Sequence, residues 1–307
     1  MEIDSLCDQG SAKAREDGYF VALPFVGVLD GVSEPYNRDH LQVKFRDGKL
    51  TGGEVVSRIV EEFFKEQSIN QNSSDLDLRR SILEANKLVA SELQDYGFSL
   101  HSPETLPGAA FAIVKISKDK VEVVQAGDCF ALWAAKDIDI SITPMQTREL
   151  EAEADRDAGE IQRRVAQEKY NLELEKVNSS QMEEIRAEMW LEYFPIWRET
   201  KRRYVNNPSN PHGHGLLNGQ AALKEMWFYK VLERDNLETL LLFSDGLTPP
   251  WEIMKDKSDI ELARTIYASY KKGGLKGLLQ DTRAIENRVK GVSWTDAAEA
   301  AAIAIEF

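Results

Sequence analysis

Five acidic residues, far apart along the chain, sit at the ends of apolar runs. The stretch LLLFSDGL (240–247) sets Asp245 at the exit of a run too apolar to lie outside a core, and FVGVLDG (25–31) repeats the design with Asp30-Gly31. REDGYFVAL places Glu16-Asp17 just before a strand, VEVVQAGDCFALW places Gly127-Asp128 after one, and Thr295-Asp296 leads into the last apolar segment. A lone Asp-Gly is ordinarily a turn, because Gly supplies positive φ and Asp tolerates turn geometry. Several carboxylates gathered at strand ends are different: they repel and raise one another's pKa unless a cation holds them charged. Hard oxygen ligands with few Cys or His point to Mg²⁺ or Mn²⁺.

The elements that must position these acids follow from the apolar pattern. After a polar leader, MEIDSLCDQG, Gly18 to Leu23 and Phe25 to Leu29 read as strands parted by Pro24. Val32 to Gly53 is polar and punctuated, a long loop beside Asp30. Helices are expected over Gly53 to Gln67, with Val55, Val56, Ile59, Val60, Phe63 and Phe64 on one stripe, and over Asp75 to Tyr96, with Ile82, Asn86, Val89, Leu93 and Tyr96 on one face ahead of Gly97. Ala109 to Ile116, Lys120 to Ala126 and Cys129 to Ala135 read as three strands, the Gly127-Asp128 link being tight enough for a hairpin. Links this short cannot make parallel crossovers, which disfavours a doubly wound nucleotide-binding sheet.

Between Gln146 and Tyr204 the composition turns to dense charge of both signs on a helical period, with a narrow stripe of Leu150, Ala154, Ala158, Ile161 and Val165. Ser180 with Glu183 reads as the capping box of a second helix, which Pro195 interrupts. The segment is either a flap that reads substrate or a solvated helical decoration. Asn206 to Gly219 is a loop, and its His212 and His214 are left out of the site. Met226 to Leu232 and Leu237 to Phe243 read as another hairpin. Two helices, Asp259 to Lys271 and Leu275 to Lys290, precede a closing strand, Ala298 to Ile305. KKGGLKG (271–277) lacks the phosphate-loop pattern and reads as a helix end.

At 307 residues the chain has ample length for a sizeable core. Fifty-two acidic against 38 basic residues give a formal net charge of −14, which argues against general affinity for nucleic acid or anionic membranes. Cys7 and Cys129 form no disulfide framework and no metal-ligand spacing, so a reducing compartment, the cytoplasm, is expected. The N-terminal residues lack the pattern of a signal peptide, and no apolar run approaches the ~18 residues of a membrane span.

The order ED, DG, GD, SDG, TD resembles that of the type 2C metal-dependent protein phosphatases from about Ala14 to Phe307, and GHGLLNG (213–219) followed by LLLFSDGL is similar to their bacterial branch. The resemblance implies an α+β fold, an antiparallel β-sandwich between helical layers, forming a single domain over 1–307 with a helical flap at 146–204. It implies two Mg²⁺ or Mn²⁺ ions, with Asp30 bridging them, the Gly31 carbonyl on one, Asp17 in support, and Asp245 and Asp296 completing the other shell. Asp128 matches the acid for a third, looser ion. By the same resemblance Asp30 and Asp245 would be the central catalytic acids, a bridging hydroxide would attack phosphorus in line, and the substrate would be a phosphoserine or phosphothreonine protein supplied by a cognate kinase. Three positions depart from the family. Ala12 stands where its phosphate-binding arginine usually lies, leaving Lys13 and Arg15 nearby, of which Arg15 is the candidate for phosphate. Val32 replaces a frequent His, and Ala297 a common Asn. A catalytically inactive binding module and a small-molecule phosphatase are the alternatives.

Overall fold

The computed structural model describes residues 1–12, 14–33, 50–69, 77–136, 139–289 and 298–307. Two antiparallel five-stranded sheets pack face to face between helices, as the α+β expectation requires. In one sheet, β2 (Gly18–Ala22), β3 (Phe25–Val32), β4 (Gly108–Ile116), β5 (Lys120–Ala126) and β8 (Phe228–Glu233) lie side by side in that order. In the other the order is β1 (Glu2–Asp8), β10 (Ala300–Glu306), β9 (Leu237–Phe243), β6 (Phe130–Ala135) and β7 (Ile140–Ile142).

The layers follow from which faces are apolar. Both faces of the central strands are covered, which is why they read as unbroken apolar runs rather than as an alternation. Val26, Val28, Ala112 and Val114 from one sheet meet Leu240, Leu242, Ile303 and Ile305 from the other to form the inter-sheet core. Outside the first sheet lie α1 (Gly52–Ile69) and α2 (Leu78–Asp95), whose Val56, Val60, Phe64, Ile82 and Val89 pack on Phe20, Phe25 and Phe111. The Phe20 and Phe64 rings stack at a centroid distance of 4.9 Å. Outside the second sheet, α6 (Asp259–Val289) sets Leu262, Ile266, Leu275 and Leu278 against Phe130, Leu241 and Phe243. It is two helices broken at Gly273 and Gly274, the latter at φ 64°, as the glycine pair leads one to expect.

The segment after β7 folds as an antiparallel helical pair, α3 (Arg148–Tyr170) and α4 (Ser179–Tyr204). Ala158, Val165, Ile185, Met189 and Tyr193 are buried between them. Among the described residues, no helix is long and apolar enough to cross a membrane.

Several local expectations are corrected. The polar leader is an edge strand: β1 pairs with β10 from Glu2↔Glu306 to Asp8↔Ala300. The Gly127-Asp128 link is not a hairpin, since β5 and β6 belong to different sheets, and the same holds for the residues between β8 and β9. The capping box of α4 is built by Asn178 and Gln181 rather than by Ser180 and Glu183. Pro195 lies inside α4 without ending it; the carbonyl that its ring deprives of a partner belongs to Leu191, a residue 65% exposed, where water can serve instead. Tyr96 is an exposed C-cap residue, not part of the buried face of α2. Most of the loop read over Val32 to Gly53 lies outside the described residues.

Candidate active site

Strand register brings the acids to one end of the sandwich. The pair Gly18↔Leu29 between β2 and β3 sets Asp17, one residue before β2, across from Asp30, two residues before the end of β3. Likewise Phe130↔Phe243 between β6 and β9 sets the Asp128 link beside the turn that holds Asp245. Carboxylate oxygens of Asp30, Asp128 and Asp245 lie within 4.8 Å of one another. Asp17 is 5% exposed, and its Oδ2 accepts a 2.6 Å hydrogen bond from the Ser244 hydroxyl. Asp296 lies outside the described residues.

Close backbone packing fixes these turns. The amides of Glu16 and Asp17 both donate to Glu299 Oε2, at 2.7 and 2.8 Å. Ser244 exchanges backbone and side-chain hydrogen bonds with Ala301, tying the SDG turn to β10. Gly31 has no room for a side chain, because a Cβ there would stand 2.5 Å from the Glu16 carbonyl oxygen. At Gly246 the conflict is greater, a Cβ falling 1.6 Å from the Glu299 carbonyl oxygen. The glycines of DG and SDG are therefore demanded by backbone approach and not by turn conformation.

The electrostatics reflect the crowding of these carboxylates. Burial first, and then the charges of Asp17, Asp245 and Asp128, push the Asp30 carboxyl well above the usual range. Asp245, though exposed toward the cavity, is likewise raised by desolvation, with the Asp128 and Asp17 charges adding to it, and burial raises Asp128. Asp17 is pushed up to about 7 by burial, against the Ser244 hydrogen bond that favours its charged form. Such crowding is costly for carboxylates and favourable for carboxylates around a divalent ion, so the donor set fits Mg²⁺ or Mn²⁺.

Asp128 and Asp245 open into a cavity of about 280 Å³ beneath the helical pair. Thr147, Glu151 and Asp155 line one side; Trp190, Tyr193 and Trp197 of α4 line another; Thr248 to Met254, including the short helix α5 (Trp251–Met254), closes it. Among the described lining residues there is no Lys, Arg or His. Arg15 is exposed and lines a separate polar cleft with Glu16, Asp17, Glu54 and Arg58. His212 is exposed, and His214 is buried and kept neutral, its pKa pushed down to about 4 by burial and the Lys201 charge.

Sequence reasoning missed four features here. Glu151, raised to about 7 by burial and the Asp128 and Asp155 charges, is one charge among many in its segment and has no distinguishing spacing. Ser244 and Glu299 act on the acids through bonds that only the fold creates. The aromatic wall did leave a signal: Trp190, Tyr193 and Trp197 recur at i, i+3 and i+7, one face of a helix.

No family profile matches the chain, and no curated protein does. Solved structures match it in fold. The Mycobacterium tuberculosis serine/threonine phosphatase PstP/Ppp aligns with a TM-score of 0.55 at 14% identity, over 100% of this chain and 98% of its own. The catalytic domain of the serine/threonine protein phosphatase PstP in complex with two manganese ions gives 0.54 at 14%, over 99% and 96%. Stp1 from Staphylococcus aureus gives 0.51 at 14%, over 100% and 94%.

Proposed function

We propose that this chain, which has the fold of the type 2C serine/threonine phosphatases, is a metal-dependent phosphomonoester hydrolase acting on phosphoserine and phosphothreonine in proteins. The observation that carries the proposal is the convergence of Asp17, Asp30, Asp128 and Asp245, contributed by four separate turns and strands, at one end of the sandwich. Asp30, Asp128 and Asp245 would hold divalent ions, with the Gly31 carbonyl and Asp296 completing the set. Bound there, Mg²⁺ or Mn²⁺ supplies a nucleophile at neutral pH and neutralises phosphoryl charge.

The chain's own residues do the positioning. Ser244 and Glu299 hold Asp17 and its backbone so that its carboxylate faces Asp30. Glycines at 31 and 246 let the two turns close on the β10 entry and on Glu16. The cavity under α3 and α4 receives the part of the substrate beyond the phosphate and shields it from water. The described lining of that cavity offers no cation. A protein kinase that places the phosphate is the corresponding partner, and the two unpaired thiols, Cys7 and Cys129, suit the reducing cytoplasm.

The test is phosphate release from a phosphothreonine peptide and from an aryl phosphate, with Mn²⁺, with Mg²⁺ and with chelator. Turnover of both that requires the ion and stops with chelator is expected. Turnover of the aryl ester alone would replace the protein substrate by a small molecule. No metal-dependent turnover of either would make the chain a binding module.

A further inference from the structure

We propose that the cavity beside the acids is an arginine subsite, selecting phosphoproteins that carry an arginine close to the phosphorylated residue. The inference rests on the phosphatase reading for its substrate, but the subsite is built from residues outside the metal-ligand set.

Three features of the lining define what it can hold. First, the wall is aromatic: Trp190 and Trp197 flank Tyr193 on α4, with ring centroids 5.9 and 6.2 Å from the tyrosine, and Trp251 of α5 lines the same cavity. Second, it is acidic without a cation of its own. Asp155 and Glu286 are matched by Lys255 and Arg283, which leaves Glu151 and Glu252 with no ion-pair partner among the described residues. Third, polar atoms are buried and unused. Thr147 is 2% exposed and its Oγ1 has no hydrogen-bond partner, and the same is true of the atoms Glu252 Oε2 and Trp251 Nε1. Each belongs to a lining residue.

A guanidinium meets all three demands. It is planar and weakly hydrated, so it stacks on indole faces, and it carries five donors for acceptors such as Glu252 Oε2 and Thr147 Oγ1. A lysine ammonium satisfies the charge but not the flat aromatic wall. The Trp251 indole N–H needs an acceptor, which a peptide carbonyl beside the arginine supplies. An anionic or purely aliphatic group would leave the carboxylates or the buried polar atoms unanswered.

The experiment uses phosphoserine heptapeptides with one arginine at each flanking position in turn, paired with citrulline, its neutral isostere. With Mn²⁺ present, kcat/KM for the arginine peptide is expected to exceed that for citrulline by about tenfold or more at one position. In Glu252→Gln and Trp197→Ala that ratio falls toward unity within each variant, so a general loss of activity does not enter the comparison. A parallel arm follows tryptophan fluorescence as unphosphorylated arginine and citrulline peptides are titrated into metal-free protein. Quenching saturable by arginine and weaker for citrulline is expected, and it decides the matter even if no peptide is hydrolysed. Equal kcat/KM for the pair at every position, or equal quenching, would overturn the subsite. A ratio unchanged in Glu252→Gln, which is the milder substitution, would also overturn it.

Discussion

Asp30→Asn is expected to abolish metal-dependent hydrolysis while leaving the protein folded. Asp30 sits in register with Ala110 of β4, one residue past the last β2–β3 pair, Gly18↔Leu29, so its backbone is held by strand pairing whatever the side chain carries. Its carboxylate is crowded by others, with Asp17, Asp245 and Asp128 all raising its pKa after burial. Two-metal sites contribute several kcal/mol of charge stabilisation, so losing the central ligand is expected to lower turnover by about 10³-fold or more. Stability should move the other way in metal-free protein. Carboxyls whose folded pKa lies above the unfolded value bind more protons folded than unfolded, so metal-free stability falls as pH rises above the ordinary carboxylate range, through the value of about 7 at Asp17. Asp30→Asn removes one of the mutually repelling charges and should flatten that decline. Thermal midpoints between pH 5 and pH 8, with chelator present, measure it. Wild-type turnover of an aryl phosphate by Asp30→Asn would remove Asp30 from its assigned role.

Gly246→Ala is expected to be among the most damaging single changes available. Its Cβ would fall 1.6 Å from the Glu299 carbonyl oxygen, and the obstacle is backbone rather than a side chain that can swing aside. Relief requires shifting either the SDG turn or the entry to β10, and both are tied together through Ser244 and Ala301. Overpacking of this kind costs about 3 kcal/mol or more. Moving Glu299 also loosens the amides of Glu16 and Asp17, so activity should fall with stability. A urea midpoint lowered at unchanged slope is the expected result. An unfolding free energy within about 0.5 kcal/mol of wild type, the range of an ordinary surface change, would contradict the packing argument.

The sequence makes the core elements legible where both faces of a strand or one stripe of a helix are buried. LLLF and FVGVL are short continuous apolar runs bounded by turn residues, the pattern of a strand covered on both faces, and the α1 stripe of Val56, Val60 and Phe64 packs where its spacing says. Pairing is another matter. The links at 127–128 and between β8 and β9 look like hairpin turns, yet each carries the chain from one sheet to the other, because a short link is compatible with either outcome and only the packing of both sheets decides. The strand β1 escapes notice since an edge strand buries so little; Glu2, Asp4 and Ser5 are exposed. Asn178 takes the cap of α4 ahead of Ser180 because both signals fit the rule and they differ by only two residues.

For the site, the acids show themselves as polar residues at the exits of apolar runs. Their positions along the chain suggest that Asp30, Asp128 and Asp245 meet, but the meeting itself depends on register across two sheets, which no local pattern encodes. Arg15 stands close to Asp17 in the chain, and the two share a cleft, while Asp128 and Asp245 open elsewhere. What the chain order hides altogether is the cavity. Its walls come from α3, α4 and the residues after Asp245, segments whose meeting is a property of the folded helical pair.

The most direct measurement is an anomalous difference map from crystals equilibrated with millimolar Mn²⁺. Manganese scattering among the carboxylates of Asp30, Asp128 and Asp245, absent from Asp30→Asn crystals treated alike, is the predicted result. Crystals in which these three carboxylates bind no ion under those conditions would contradict the account.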